Sequence, residues 1–450
     1  KTKYDDGTIK SLYDPTVNVK DYGAAGDDTT DDTAAFNSAI TQALASSNPI
    51  LIPAEVYRVG DLDEIPNDIE QTLKIIGVGK RSSIIRHTGT GALITLGDSA
   101  QSSTNANQDW GGFLFEDIGV TTTTGAKGIN FMWRYTDCII KNSHFEGFTD
   151  AGIYSDTAAP KSWSNRVDCC SFAHNNAGVF IKDHAWVIDL CRFYANEYGI
   201  RTSTEVVDTY TDDGRSGLNI SGCDFGPANV ACLTLAGQSG FSVTGCYFEC
   251  NYNQTFTGEE AFQIDSSLST TVGNAPCILF NGEFCFGGLI SGNIFQGQDG
   301  TNSHIEFDGT EVGVGQLMSS INITGNLFTN NGSTQQTGRY CVKISNDPSE
   351  RIQNLVYSAN YISSGLVDSN QPTNNTGSFS YVEKQTGTFS AVDAPNSVNI
   401  LTNYEHSDLN QTTVGAEDGS PAAALPGDPT GYLKIQVEGT TQVIPYYNES

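Results

Sequence analysis

The chain has 450 residues and a formal net charge of -29, from 23 Lys and Arg against 52 Asp and Glu. A field of that sign repels nucleic acid and anionic membrane surfaces and excludes both as partners. With 47 Gly, only 17% charged residues and 10% aromatics, the composition suits short strands joined by many turns; it excludes a helical bundle, a collagen and a disordered tail. No apolar run reaches the ~18 residues of a membrane span.

Residues 1–17 are a polar lead-in, and KTKYDDGTIK holds no apolar leader core. Asp31 and Asp32 then offer N-caps for a helix over about 33–45, with Phe36, Ile40, Ala43 and Leu44 on one face. Such a helix suits the open end of a solenoid, where a bare coil would expose core and unpaired backbone. ILIPAEVYRV follows as an extended segment leading into the first coils.

From there the chain repeats a unit in which an apolar pair and a small or amide residue precede an aromatic. IIKNSHF ends at Phe145, VDCCSF at Phe172, VIDLCRF at Phe193, LNISGCDF at Phe225, FSVTGCYF at Phe248, LISGNIF at Phe295 and INITGNLF at Phe328. Two positions before each aromatic stands Ser143, Cys170, Cys191, Cys223, Cys246, Asn293 or Asn326, which reads as a stacked file. Each unit turns into a second alternating run: GIYSD, GVFIKD, GIRTS, CLTLAG, AFQID, HIEFDG and CVKIS. Period-two strands recurring every few tens of residues describe a right-handed parallel β-helix over 18–405, with coils stacked at about 4.8 Å. The 11 cysteines contain no CxxC pair. They are expected to fill stacked core positions rather than bind metal, and a disulfide between neighbours stays open. Residues 406–430 read as a linker, and 431–450 as a strand pair, YLKIQVEG with TQVIPYY, apolar enough to want partners.

VNVKDYGAAGDDTTDDTAAFNSAI at 17–40, followed by ILIPAEVYRV, resembles the lead-in of the pectate-lyase-like superfamily, with Glu55 where a Gly is usual. GCYFECN at 245–251 and GYLKIQVEGTTQVIPYYN at 431–448 are similar to segments of phage tailspikes. The polygalacturonase motifs, an N-x-D strand, a G-H-G and an R-I-K, are missing. The resemblance implies a homotrimeric tailspike depolymerase that folds in the bacterial cytoplasm and sits on the virion tail. It would attach to tail or baseplate through an N-terminal region outside this chain, and it would need no cofactor.

Hydrolysis of a glycosidic bond needs two carboxylates, about 5–5.5 Å apart for retention or about 6.5–9.5 Å for inversion. Aligning the second strands gives one outward file of Tyr154, Phe180, Arg201, Thr234, Gln263, Glu306 and Lys343. Another runs Asp156, Lys182, Ser203, Ala236, Asp265, Asp308 and Ser345. Glu306, Asp308 and Asp265 are thereby expected to share one face as the catalytic acids, although Asp265 before Ser-Ser and Asp308 before Gly also suit plain turns. The insertion STEVVDTYTDDGRSG adds Asp208 and Asp212 as further candidates, or as a solvated loop. Tyr154, Asp156, Lys182 and Arg201 are the expected substrate-binding residues. With His174 and His184 nearby they also supply the base and cation that β-elimination of a polyuronate requires. Trp133, Trp163 and Trp186 are candidate stacking surfaces. The expected function is binding and hydrolysis of a bacterial capsule or O-antigen polysaccharide, with a non-cleaving adhesin and a lyase as the alternatives.

Overall fold

The computed structural model describes residues 16–382 apart from stretches that include 67–71, 98–111, 156–163, 204–214, 258–262, 310–317, 331–339, 346–351 and 371–379, together with strand pieces at 2–3, 9–10, 431–437 and 440–446. Within 16–382 the described strands fall into three long parallel sheets of 13, 12 and 10 strands, a fourth of 5, and one antiparallel pair, Gln254–Thr257 with Ser269–Val272. One coil visits each in turn: Ile139–Lys141, His144–Glu146 and Ala151–Ser155 are followed by Asn165–Asp168, Ser171–Ala173 and Ala177–Ile181. This is the parallel β-helix expected from the repeat. Its crossovers join parallel strands of one sheet, a connection that is right-handed in about 98% of cases.

The aromatic that closes each repeat is the axis of the core. Phe145, Phe172, Phe193, Phe225, Phe248, Phe295 and Phe328 stack with ring centroids 4.6–5.5 Å apart and interplanar angles of 2–11°. All seven are buried. The spacing of the rings matches the strand spacing, so sheet pairing and ring stacking reinforce the same register.

Beside that stack runs the file of small residues. Cys170, Cys191, Cys223 and Cys246 are free and buried, and each thiol donates to a backbone carbonyl. Asparagine then takes over. Cys246 N donates to Asn293 Oδ1 (2.8 Å), Asn293 Nδ2 to Asn326 Oδ1 (3.0 Å), and Asn326 Nδ2 to Asn360 Oδ1 (3.0 Å). The ladder pairs buried amides that would otherwise be costly. Cys277 is disulfide-bonded, outside the stacked file.

The turn from the first sheet to the second repeats a left-handed residue. Gly222, Gly245, Gly292 and Gly325 hold it at φ 60–66°, while Leu190 and Ala359 occupy it at 52° and 54° despite their side chains.

The helix Thr33–Ser46 buries Ala35, Phe36, Ala39, Ile40 and Ala43, with Leu44 packed at the edge. The acidic pair before it divides its work. Asp31 Oδ1 accepts the Thr33 N–H (3.0 Å), whereas the buried Asp32 makes no cap and instead accepts Ala25 N–H (2.6 Å) and Gly26 N–H (3.1 Å). The unusual Glu55 pairs with Lys20.

The chain divides by contacts into residues 1–398 and 399–450. In the second unit, Gly431–Val437 and Thr440–Tyr446 form an antiparallel pair. The expected linker at 406–430 lies outside the described residues.

Candidate functional site

The outer face of the ten-stranded sheet carries the expected binding residues. Register aligns Asn130, Tyr154, Phe180, Arg201, Thr234, Leu279, Glu306 and Lys343 in one outward file. The Tyr154 and Phe180 rings lie 4.9 Å apart. Lys127 Nζ sits 3.8 Å above the Tyr154 ring, Lys182 Nζ lies 5.6 Å from Phe180, and the Arg201 guanidinium lies 5.5 Å from Phe180 and 4.7 Å from Tyr198. Three cations thus ride on three aromatic faces, each contact within cation–π reach.

Lys127 and Tyr198 are not legible from alternation, because each stands three positions before its file residue, Asn130 or Arg201, an odd step that alternation assigns to the opposite face. Gly128, Gly152, Gly178 and Gly199 stand one after another in successive strands. A Cβ on Gly178 would lie 2.6 Å from Gly199 O, 2.8 Å from Phe193 and 3.0 Å from Phe172. The glycine turns inward over the phenylalanine stack, and the residue before it, in the file Lys127, Ala151, Ala177 and Tyr198, is returned to the outer face. Signals for this existed as AGI, AGV and YGI ahead of each second strand.

Further along the same file, Glu306 and Asp308 share the strand Ile305–Asp308, and Lys343 Nζ donates to Glu306 Oε1 at 2.9 Å. Residues i and i+2 on one face lie about 6.6 Å apart, inside the inverting range. Arg201 stands three coils away, about 14 Å along the axis.

Asp265 is not part of this face. The strand beside Ile305–Asp308 is Ile278–Asn281, so Leu279 and Asn281 take the places expected for Gln263 and Asp265. The run AFQID alternates like a coil strand, but the chain leaves the spiral after Cys250, and Asp265 comes to rest on the twelve-stranded sheet. There it meets Arg86 Nη1 at 3.0 Å and accepts from Ser267 N (2.9 Å) and Oγ (2.6 Å). Burial pushes its carboxyl up, yet Ser267 and Arg86 together hold it below the usual range. Asp156, Asp208, Asp212, Trp133, Trp163 and His184 lie outside the described residues. Trp186 is not a stacking surface: it is 1% exposed and packed edge-on against Phe131.

Around Asp265 a cleft of about 270 Å³ is lined by Arg58, Arg86, His87, Thr122 to Thr124 and neighbours. Arg86 is shared between Asp265 and Asp28 (2.7 Å), and His87 Nε2 contacts Asp61 at 2.8 Å. Burial pushes the His87 ring down from its usual range. Next to the cleft, the fully buried Glu146 contacts His144 Nε2 at 3.0 Å, and His144 Nδ1 contacts Ser171 Oγ at 2.8 Å. Sequence reading missed these groups, since on paper they look like outward residues of an open sheet. Among the described residues no group of three or more His, Cys, Asp or Glu is placed to hold a metal ion.

The class this geometry defines is that of the parallel β-helix proteins. Residues 16–227 match the family described as rhamnogalacturonase A/epimerase, pectate lyase-like. A 74-residue stretch is 40% identical to mannuronan C5-epimerase AlgE2 of Azotobacter vinelandii, covering 15% of this chain and 7% of that protein. The A-module of mannuronan C-5 epimerase AlgE6 from the same organism superposes with a TM-score of 0.52 at 16% identity, over 82% of this chain and 100% of the module, and shares the fold. The Dettilon tailspike protein gives a TM-score of 0.49 at 14% identity over 82% of this chain and 68% of its own.

Proposed function

We propose that this protein is a phage tailspike that binds a bacterial capsule or O-antigen polysaccharide along the outer face of the ten-stranded sheet and cleaves it by hydrolysis. One observation carries the reading: the aromatic and cationic platform of Tyr154, Phe180, Tyr198, Lys127, Lys182 and Arg201 and the acid pair Glu306 and Asp308 lie in line on one face. Sugar rings pack against aromatic faces, and the cations supply hydrogen-bond donors to hydroxyl or carboxylate oxygens. Ion-paired Glu306 suits activation of water, and Asp308 suits protonation of the leaving oxygen. Their separation favours inversion. The lead-in motif and the two tailspike-like segments support the phage setting, and the apolar pair 431–446 suits closure of a homotrimer.

A second reading is favoured by the assembly of Tyr154 with Lys127 and Arg201 and by the absence of Asp265 from the acid face. In it, Tyr154 removes the proton α to a uronate carboxylate held by the cations. The C–H pair forms the new double bond as the 4-linked oxygen leaves.

Incubation with a panel of capsule and O-antigen polysaccharides, followed by size analysis and ultraviolet absorbance, tests both. Shortened chains without a new chromophore are expected. Shortening with the unsaturated-uronate absorbance selects elimination, and binding without shortening leaves an adhesin.

A further inference from the structure

The outer face of the twelve-stranded sheet is crossed by a segment that has left the spiral. Its strands Gln254–Thr257 and Ser269–Val272 pair antiparallel, and residues 263–268 lie against four coils of the sheet. Phe256 packs edge-on against Tyr194 at 5.0 Å, His174 Nδ1 contacts Thr270 Oγ1 at 2.8 Å, and Gln263 contacts His174 Nε2. Ile264 and Leu268 settle over Gly119 and Gly147, where a Cβ would come within 2.5 Å and 2.9 Å of them. Glu146 has no exposed surface, and its two oxygens accept the backbone N–H groups of Ile264 (2.8 Å) and Asp265 (3.3 Å).

We propose that residues 263–272 are an acid-released strap, anchored by Glu146 and released at His174: the strap closes at neutral pH and lifts as the medium acidifies, uncovering Arg86, His144, Glu146 and His174. The ionisable groups facing Glu146 are His144 on its own strand, His174 beyond the neighbouring strand and Asp265 on the strap. Arg86 reaches the strap through Asp265 and is also paired with Asp28.

Two N–H donors aimed at one carboxylate hold best while it is ionised. The His174 ring, contacted on both nitrogens by the strap, is held below its ordinary 6.5 by burial, which outweighs Glu146. A depressed histidine stabilises the closed form fully above its free value, and that contribution is lost as pH falls through about 6.5. Asp265 is also held low, so its share of the closure persists until pH falls further. Release therefore begins below about 6.5. It moves only the strap, because the coil beneath is held by sheet pairing and the phenylalanine stack.

Hydrogen exchange of the full chain, corrected for the intrinsic pH dependence, provides the test. Peptides covering 263–272 are expected to exchange about tenfold faster or more at pH 5 than at pH 7.5, as one unit of proton linkage gives, while peptides covering 219–225 hold constant. Glu146→Gln, nearly the same shape without the charge, is expected to exchange faster at both pH values while the His174 response remains, and His174→Gln, which cannot take up a proton, is expected to lose most of the response, each with an unchanged circular dichroism spectrum. Flat protection of 263–272 in the wild type overturns the proposal, as does a folded Glu146→Gln as well protected at pH 7.5 as the wild type, or a folded His174→Gln that switches with pH as fully as the wild type. Asp265→Ala lies on the strap and cannot unfold the coil; it is expected to exchange faster overall yet keep the pH response, and a lost response would overturn the assignment of the release to His174.

Discussion

Gly178→Ala joins the fold to the site in one substitution. The added methyl would meet Gly199 O at 2.6 Å, a backbone atom of the next coil, with Phe193 and Phe172 close on its other sides. None of these is the free end of a flexible side chain, so the coil spacing itself must give. Overpacking of this kind costs about 1–3 kcal/mol, and a backbone obstacle puts the expectation at the upper end, about 3 kcal/mol. Gly325 provides the comparison: it sits at φ +65° with nothing within 4 Å of a new Cβ, so Gly325→Ala meets only the left-handed penalty of about 1–2 kcal/mol. Thermal unfolding of both variants by calorimetry, at a common scan rate, should place Gly178→Ala below Gly325→Ala. Because Gly178 also returns Ala177 to the outer face beside Tyr198, the same variant should weaken glycan binding where Gly325→Ala does not. A Gly178→Ala protein as stable as the wild type would refute the claim that these glycines set the coil spacing and the platform.

Leu190→Gly relieves a left-handed leucine on the exposed surface and should stabilise by about 0.5–1 kcal/mol, read as a higher unfolding temperature. Asn326→Ala removes an amide that accepts from Asn293 N and Nδ2 and donates to Ile290 O and Asn360 Oδ1; it should cost about 2–4 kcal/mol in the same assay. Glu306→Gln and Asp308→Asn, made singly, should each slow polymer shortening about 100-fold or more while leaving binding within a factor of about three. Full activity in both would remove the acid pair from the mechanism.

Where one position in the repeat had to face the core, sequence and structure agree. The closing aromatics and the Cys and Asn positions two residues earlier were readable because a coil that repeats must stack like on like. The outward order Tyr154, Phe180, Arg201, Thr234 followed from alternation alone. That logic failed at residues 251–277: AFQID and ILFN alternate equally well, and a period of two does not say whether a strand belongs to the spiral or to an excursion. Misplacing that segment by one strand brought Asp265 to Glu306 on paper, whereas its backbone and side chain grip Glu146 and Arg86. Glu146 itself looks exposed from pattern, yet it is fully buried and accepts the backbone N–H groups of the excursion. Asp32 shows the same limit on a smaller scale, because a cap residue and a loop anchor have the same sequence signature.

The most direct test of the glycan-binding face is a crystal structure of the protein with an oligosaccharide released from its polysaccharide. The account predicts sugar rings lying on Tyr154 and Tyr198, which pack over the buried Phe180, with the chain running along the axis toward Glu306 and Asp308. An oligosaccharide seated instead in the cleft beside Arg58 and Arg86, with the ten-stranded face bare, would contradict it.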